Sequence, residues 1–266
     1  MKLSAIYIYP IKSLGGIELN QSKIEIKGLQ YDRRWMLVHP DGEFITQRKY
    51  PRLALLQTSI VDNDLMVTHG SKSSLKIPLV YSGEKRIIDT EVWGTPCQGW
   101  TCDTKIDQWF SDFLGMPCHL IYMSQDYQRI TDQKYAPPGQ IVSYADGFPF
   151  LIIGQTSLDH LNEKLDQALP MNRFRPNLVF TGGTPHVEDT WKDFQIGSAL
   201  FRGVKPCSRC NMTTINQQTA EIGIEPLETL STYRRIDRKI LFGQNLIWME
   251  KGNMIRVGDL IKISQG

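Results

Sequence analysis

Short runs of β-branched, aromatic or alternating residues, each closed within a few positions by Gly, Pro, Asn, Asp or Ser, fill most of this chain and limit its fold more than any other feature. Residues 3–9 form an apolar run stopped by Pro10, and residues 23–27 alternate up to Gly28. Residues 35–39 and 43–46 flank Pro40-Asp41-Gly42, where Pro fixes φ and Gly accepts a positive φ, so a hairpin is expected. Further strands are expected over residues 53–61, 65–69, 75–80 and 86–93, which makes the first third all-β. Beyond it, residues 178–181, 194–204, 212–215, 246–250 and 254–263 also read as strands.

Helical periodicity is confined to three places. From Asp103, Ile106, Trp109, Phe110, Phe113 and Leu114 recur on one face, with Gly115 as a stop. A second helix is expected near Thr156, with Asp159 completing a capping box and Leu158, Leu161 and Leu165 on one face. A third, short helix follows Pro226, placed as its first residue, through Leu227, Leu230 and Tyr233. The expected class is α+β, mainly antiparallel, built from barrel-like parts. A change of pattern over residues 117–127 divides the chain into 1–122 and 123–266, two halves expected to pack closely.

A formal charge of +2 is too small to point to nucleic acid or a membrane surface. Pro10 and Lys12 interrupt the N-terminus before a signal peptide can form, and no segment reaches the ~18 apolar residues of a spanning helix. Five cysteines, an odd number, fit reduced thiols in a cytoplasm better than a disulfide framework.

The chemistry concentrates in Lys205-Pro206-Cys207-Ser208-Arg209-Cys210-Asn211-Met212-Thr213-Thr214. One reading is a dithiol redox pair, which needs a helix N-terminus, whereas Thr213, Thr214 and Ile215 favour a strand. Another is a zinc site completed by Cys97 and Cys102. The third is a single thiolate on a soft, redox-active metal, with Arg209 and Lys205 holding an anion beside it.

The motifs Pro206-Cys207-Ser208-Arg209-Cys210 with Thr213-Thr214, Glu225-Pro226-Leu227, Phe242-Gly243-Gln244-Asn245 and Val257-Gly258-Asp259 together resemble MOSC-domain proteins, among them the amidoxime-reducing group and its bacterial relatives. Tyr9-Pro10-Ile11-Lys12-Ser13, Asp32-Arg33 and Glu91-Val92-Trp93-Gly94-Thr95 are similar to the N-terminal β-barrel domain that accompanies MOSC there. Phe148-Pro149-Phe150-Leu151 and the run from Asn172 to Asn177 match as well, so the resemblance covers the chain from Tyr9 to Asp259.

The resemblance implies an N-terminal barrel domain packed on a MOSC barrel. It implies molybdenum held by a pterin dithiolene and by Cys210, the catalytic and metal-binding residue. Lys12, Ser13, Arg33, Arg175, Ser208 and Arg209 would hold the pterin and its phosphate, with Asn177, Asn245, Gly147 and Phe148 contributing. Donors of that kind suit the ligand, since Lys and Arg bind phosphate and amides bind a pterin edge. Taken singly, each has a plainer explanation: Lys12 and Arg33 as solvated charges, Arg175 as a packing residue, Asn177 as a turn residue. Cys207 is expected to be a small buried neighbour of the ligand. The implied activity is reduction of small N-hydroxylated compounds, with a monomer as the expected state. No iron–sulfur cysteine spacing is present, so a separate ferredoxin-, flavodoxin- or cytochrome-like protein would donate electrons. Asn245 stands where animal forms place Tyr. A cofactor or sulfur carrier without turnover is the alternative.

Overall fold

Leu3, Ala5, Ile6 and Ile8 of the strand Lys2–Ile8 are all buried, because this strand lies inside a sheet and not at its rim. The computed structural model describes residues 1–70, 74–80, 83 and 85–264. Among them the largest sheet has nine strands. Its order is Ile17–Leu19, Lys2–Ile8, Leu178–Thr181, Phe150–Gly154, Lys239–Lys251, Ala199–Arg209, Asp193–Ile196 and Ile261–Ile263, with Arg235–Ile236 paired to the start of Lys239–Lys251. Every pairing is antiparallel except that of Phe150–Gly154 with Leu178–Thr181. A parallel pair needs a crossover, and the helix Gln155–Asn162 supplies it. Phe150, Phe180, Phe194 and Phe201 fill the core beside this sheet with Leu3 and Ile6.

A second core belongs to the N-terminal half. The strands Trp35–Val38, His119–Tyr122, Thr95–Thr101 and Ile87–Val92 make one sheet, and Gln57–Val61, Asp64–Thr68 and Leu75–Pro78 a meander. The helix Thr104–Leu114 lays Ile106, Phe110 and Phe113 against Leu37, Leu53 and Leu120. Its ends are where the sequence puts them: the Asp103 carboxylate accepts from Lys105 N–H at 2.7 Å, and Gly115 takes φ 73°.

The two halves interlock. Lys2–Ile8 pairs with Leu178–Thr181, and Gln21–Glu25 pairs with Met254–Arg256, so strands from the first 25 residues complete sheets of the C-terminal half. Near the chain ends, Leu3 N–H donates to Asp259 O at 2.9 Å and Gly258 N–H to Leu3 O at 2.8 Å.

Six local expectations need correction here. Residues 53–61 are not one strand: Pro51 opens a 3-10 turn, Pro51–Leu55, before the strand Gln57–Val61. Residues 43–46 pair only through a bridge between Val38 and Phe44, although the expected turn is there with Gly42 at φ 90°. Residues 212–215 lie in a 3-10 turn, Asn211–Thr214, in which Thr213 and Thr214 hydroxyls bond back to Cys210 O and Asn211 O. Residues 194–204 divide into Asp193–Ile196 and the start of Ala199–Arg209, turning at Gly197, and residues 254–263 divide at Gly258, φ 97°. Finally, Pro226 precedes the helix Leu227–Tyr233 instead of opening it.

Candidate functional site

Two turns and two strand ends build the site. The strand Ala199–Arg209 carries Cys207, Ser208 and Arg209 to its last positions, and Cys210 sits at the break where the chain enters its 3-10 turn. Across from it, the N-terminal half sends the loop after Lys2–Ile8, with Lys12 and Ser13, and the turn carrying Arg33. Both meet the Cys210 strand end in one cleft of about 120 Å³.

Every cofactor-binding residue that the family resemblance implied lines this cleft. Lys12, Ser13 and Arg33 come from the first half. Gly147 and Phe148 come from the loop before Phe150–Gly154, Arg175 and Asn177 from the loop before Leu178–Thr181. Ser208, Arg209 and Cys210 come from the strand end, and Asn245 from the facing strand. Lys205 does not join them: its ammonium lies over the Tyr135 ring at 4.2 Å and over Phe148 at 5.2 Å. Cys207 also departs from expectation. Its thiol is half-exposed on the cleft wall, not buried, and accepts from Arg209 Nη1 at 3.0 Å. Cys97 and Cys102 lie buried in two separate apolar clusters, away from this wall.

The cleft is cationic, and its cations are strongly held. Arg33 and Arg175 both lie over the Tyr9 ring, at 4.3 and 4.1 Å from its centre. Arg33 further donates to Asp32 at 2.6 Å, to Asn177 Oδ1 at 3.1 Å and to Arg175 O at 3.2 Å. The Asn177 amide is already engaged, accepting from Arg33 and Leu151 N–H and donating to Tyr7 O, so it positions Arg33. Arg175 is 7% exposed, and its guanidinium has no hydrogen-bond acceptor among the described residues. Burial pulls its pKa down to about 10. Lys12 Nζ donates to Tyr144 O and to Asp146, yet burial still lowers it to about 8. Asp146 stands half-exposed at the mouth; burial pushes its carboxyl up, but Lys12 and Arg48 outweigh that and hold it well below the usual range.

Strain marks the same residues. Ser13, Arg33 and Arg175 have φ of 73°, 48° and 53°, a region costing on the order of 1 kcal/mol or more for residues with a Cβ. Ser13 Oγ is buried and unpartnered, so the loop holds a hydroxyl ready without a protein acceptor.

Sequence reasoning missed Arg48 and Asp146. Arg48 Nε donates to Cys210 Sγ at 3.1 Å and Nη2 to Asp146 at 3.1 Å. In the sequence it is one cation in Gln47-Arg48-Lys49 after a hairpin, which reads as solvated surface. Arg129 was missed too: fully internal, it ties the carbonyls of Ser143, Ala145 and Asp146 together and so shapes the loop behind Lys12.

Two domain families match this chain, the MOSC N-terminal beta barrel domain over residues 1–117 and the MOSC domain over residues 139–262. Mitochondrial amidoxime-reducing component 1 of Mus musculus is 31% identical, with 97% of this chain aligned to 80% of that protein. The chain belongs to the MOSC family. Human mitochondrial amidoxime-reducing component 1 is 30% identical over 97% of this chain and 81% of its own length. A molybdenum cofactor sulfurase of Oryza sativa subsp. japonica is 32% identical over 99% of this MOSC chain, which spans 35% of the sulfurase. Among the described residues no helix is long and apolar enough to cross a membrane.

Proposed function

We propose that this MOSC protein binds molybdenum cofactor through Cys210 and reduces small N-hydroxylated compounds with electrons from a separate ferredoxin-, flavodoxin- or cytochrome-like protein. One observation carries the reading: cations and hydroxyls from positions as distant as 12 and 209 converge on one cleft around a half-exposed thiol. The residues fit an anionic, thiolate-bound group. A nearly buried guanidinium without an acceptor, Arg175, and an orphaned buried hydroxyl, Ser13, both belong to residues that line the space such a ligand would fill. At Gly147 an added Cβ would meet nothing within 4 Å, so the wall there is open.

In this reading the Cys210 sulfur is the protein's bond to molybdenum. Lys12, Arg33, Arg175 and Arg209 neutralise the phosphate and pterin side, and Ser13 and Ser208 add hydroxyl donors. Gly147, Phe148 and Asn245 border the same space. When bound, the cofactor supplies the two-electron chemistry that takes oxygen from an N–OH group. The protein's part is to hold that group in a cationic cleft, exclude bulk water from its buried side and keep the sulfur aimed.

A carrier of cofactor or sulfur is the second reading, favoured by the match to a molybdenum cofactor sulfurase. Elemental analysis of Cys210→Ser beside Cys207→Ser tests the shared premise: molybdenum is lost in the first and kept in the second. Equal loss in both overturns the choice of ligand. Turnover of benzamidoxime with a chemical reductant then separates reductase from carrier, since a carrier shows none.

A further inference from the structure

We infer that Arg48 is the positioning residue for the Cys210 sulfur, held to that task by Trp93 and Asp146. The inference rests on the reading of Cys210 as the metal ligand. One guanidinium makes three contacts at once. Nε donates to Cys210 Sγ at 3.1 Å, Nη2 donates to Asp146 Oδ2 at 3.1 Å, and the flat face lies 4.1 Å from the Trp93 ring centre. These contacts need a planar cation with donors fixed in different directions, which Arg provides and Lys does not.

Trp93 reaches Arg48 through a turn that suits few residues. Val92 and Thr95 pair across the two-residue connection Trp93-Gly94, whose φ values of 56° and 75° are both positive, as the tight hairpin turn demands. Asn or Gly would adopt that backbone with less strain than Trp. Nor does burial explain the indole, which is 50% exposed. What it does is cover Arg48 on one side while Phe44 packs edge-on against it at 5.0 Å. Asp146, shared between Arg48 and Lys12, closes the other end.

The contrast with the neighbouring thiol sharpens the assignment. Arg209 contacts Cys207 from two residues away on the same strand, and its other end donates to Phe174 O. Arg48 reaches Cys210 from the opposite half of the chain, 162 residues away. A donor to a ligating sulfur restricts its rotation and draws charge from it, so it affects both how firmly a metal is held and the metal's electronic state.

The test uses the full chain produced with molybdate, as wild type, Arg48→Ala, Arg48→Lys and Trp93→Asn, the last keeping a turn-competent residue while removing the ring. Molybdenum per chain is measured after exhaustive dialysis, and the Mo(V) spectrum by electron paramagnetic resonance after partial reduction. Arg48→Ala is expected to hold metal about 10- to 100-fold more weakly, as loss of an outer-shell partner does. Arg48→Lys is expected to fall between it and wild type, and both to shift the Mo(V) lines; a purely architectural role would lower metal content without moving them. If Arg48→Ala folds like wild type with equal metal and an unchanged spectrum, the inference fails while Cys210 as ligand stands. If Arg48→Ala does not fold, Arg48→Lys decides by the same two measurements. Wild type without molybdenum, or Cys210→Ser that retains it, overturns the reading of the site and this inference together.

Discussion

Lys12 keeps its charge in an unfavourable place, with a side chain 8% exposed and a pKa brought down by burial to about 8 despite the Asp146 carboxylate. In the cofactor-free protein the unfolded chain therefore binds more protons between about pH 8 and 10.5, and this group's contribution to stability rises with pH across that window. Anion binding has the opposite sign. A bound phosphate favours the ammonium, so affinity is full below about pH 8 and falls as pH rises through it, by up to about tenfold per unit for one linked proton. Titration of inorganic phosphate into the cofactor-free chain at pH 7 and pH 9 is expected to show that loss, and Lys12→Arg to remove it, because a guanidinium stays charged. Equal affinity of the wild-type chain at both pH values would remove Lys12 from the anion site. No local feature of Tyr9-Pro10-Ile11-Lys12-Ser13 reveals this; only the family resemblance singled Lys12 out, because a lone Lys after Pro is normally solvent-facing.

Two helix starts show what a sequence reveals and what it hides. At Thr104–Leu114 the cap is Asp103 itself, one position before the helix, so residue type and spacing suffice to find it. At Gln155–Asn162 the expected Thr156–Asp159 box does not form; Thr156 Oγ1 is unpartnered and Asp159 accepts from Gln155 instead. The N-terminus is capped from another element. Fully buried Glu188 accepts Gly154 N–H at 3.1 Å and Ser157 Oγ at 2.9 Å, a partner more than thirty positions away that no local pattern could name. The same distinction explains Met212 to Ile215, where β-branched residues suggested a strand and short hydroxyl-to-backbone bonds made a 3-10 turn. The two caps predict different losses. Asp103→Ala is expected to cost about 1 kcal/mol, as a surface cap does. Glu188→Ala leaves buried donors without acceptors and is expected to cost about 2–3 kcal/mol. Urea unfolding of both variants checks the order; a larger loss in Asp103→Ala would mean the buried carboxylate contributes less than its hydrogen bonds suggest.

At the scale of the molecule, the strand-rich, mainly antiparallel architecture was legible because alternation and turn residues are local, whereas the way the halves share strands was not. The division over residues 117–127 follows the change in pattern, yet Lys2–Ile8 lies between Ile17–Leu19 and Leu178–Thr181 in the large sheet, and Met254–Arg256 extends Gln21–Glu25. Pairing across the whole length of the chain is decided by complementary edges and buried faces, which sequence periodicity does not specify. It also sets the site, since the sulfur belongs to one half and Lys12, Arg33 and Arg48 to the other. If the first strand leaves the large sheet, the edge of Leu178–Thr181 and the core around Leu3 and Ile6 open with it, so neither half can unfold while the other stays intact. Calorimetry is therefore expected to show one transition with van't Hoff and calorimetric enthalpies in agreement, far-UV and tryptophan signals melting together. Two resolved transitions would mean that the shared strands couple the halves weakly, and then the cleft would owe its shape to the bound ligand more than to the fold.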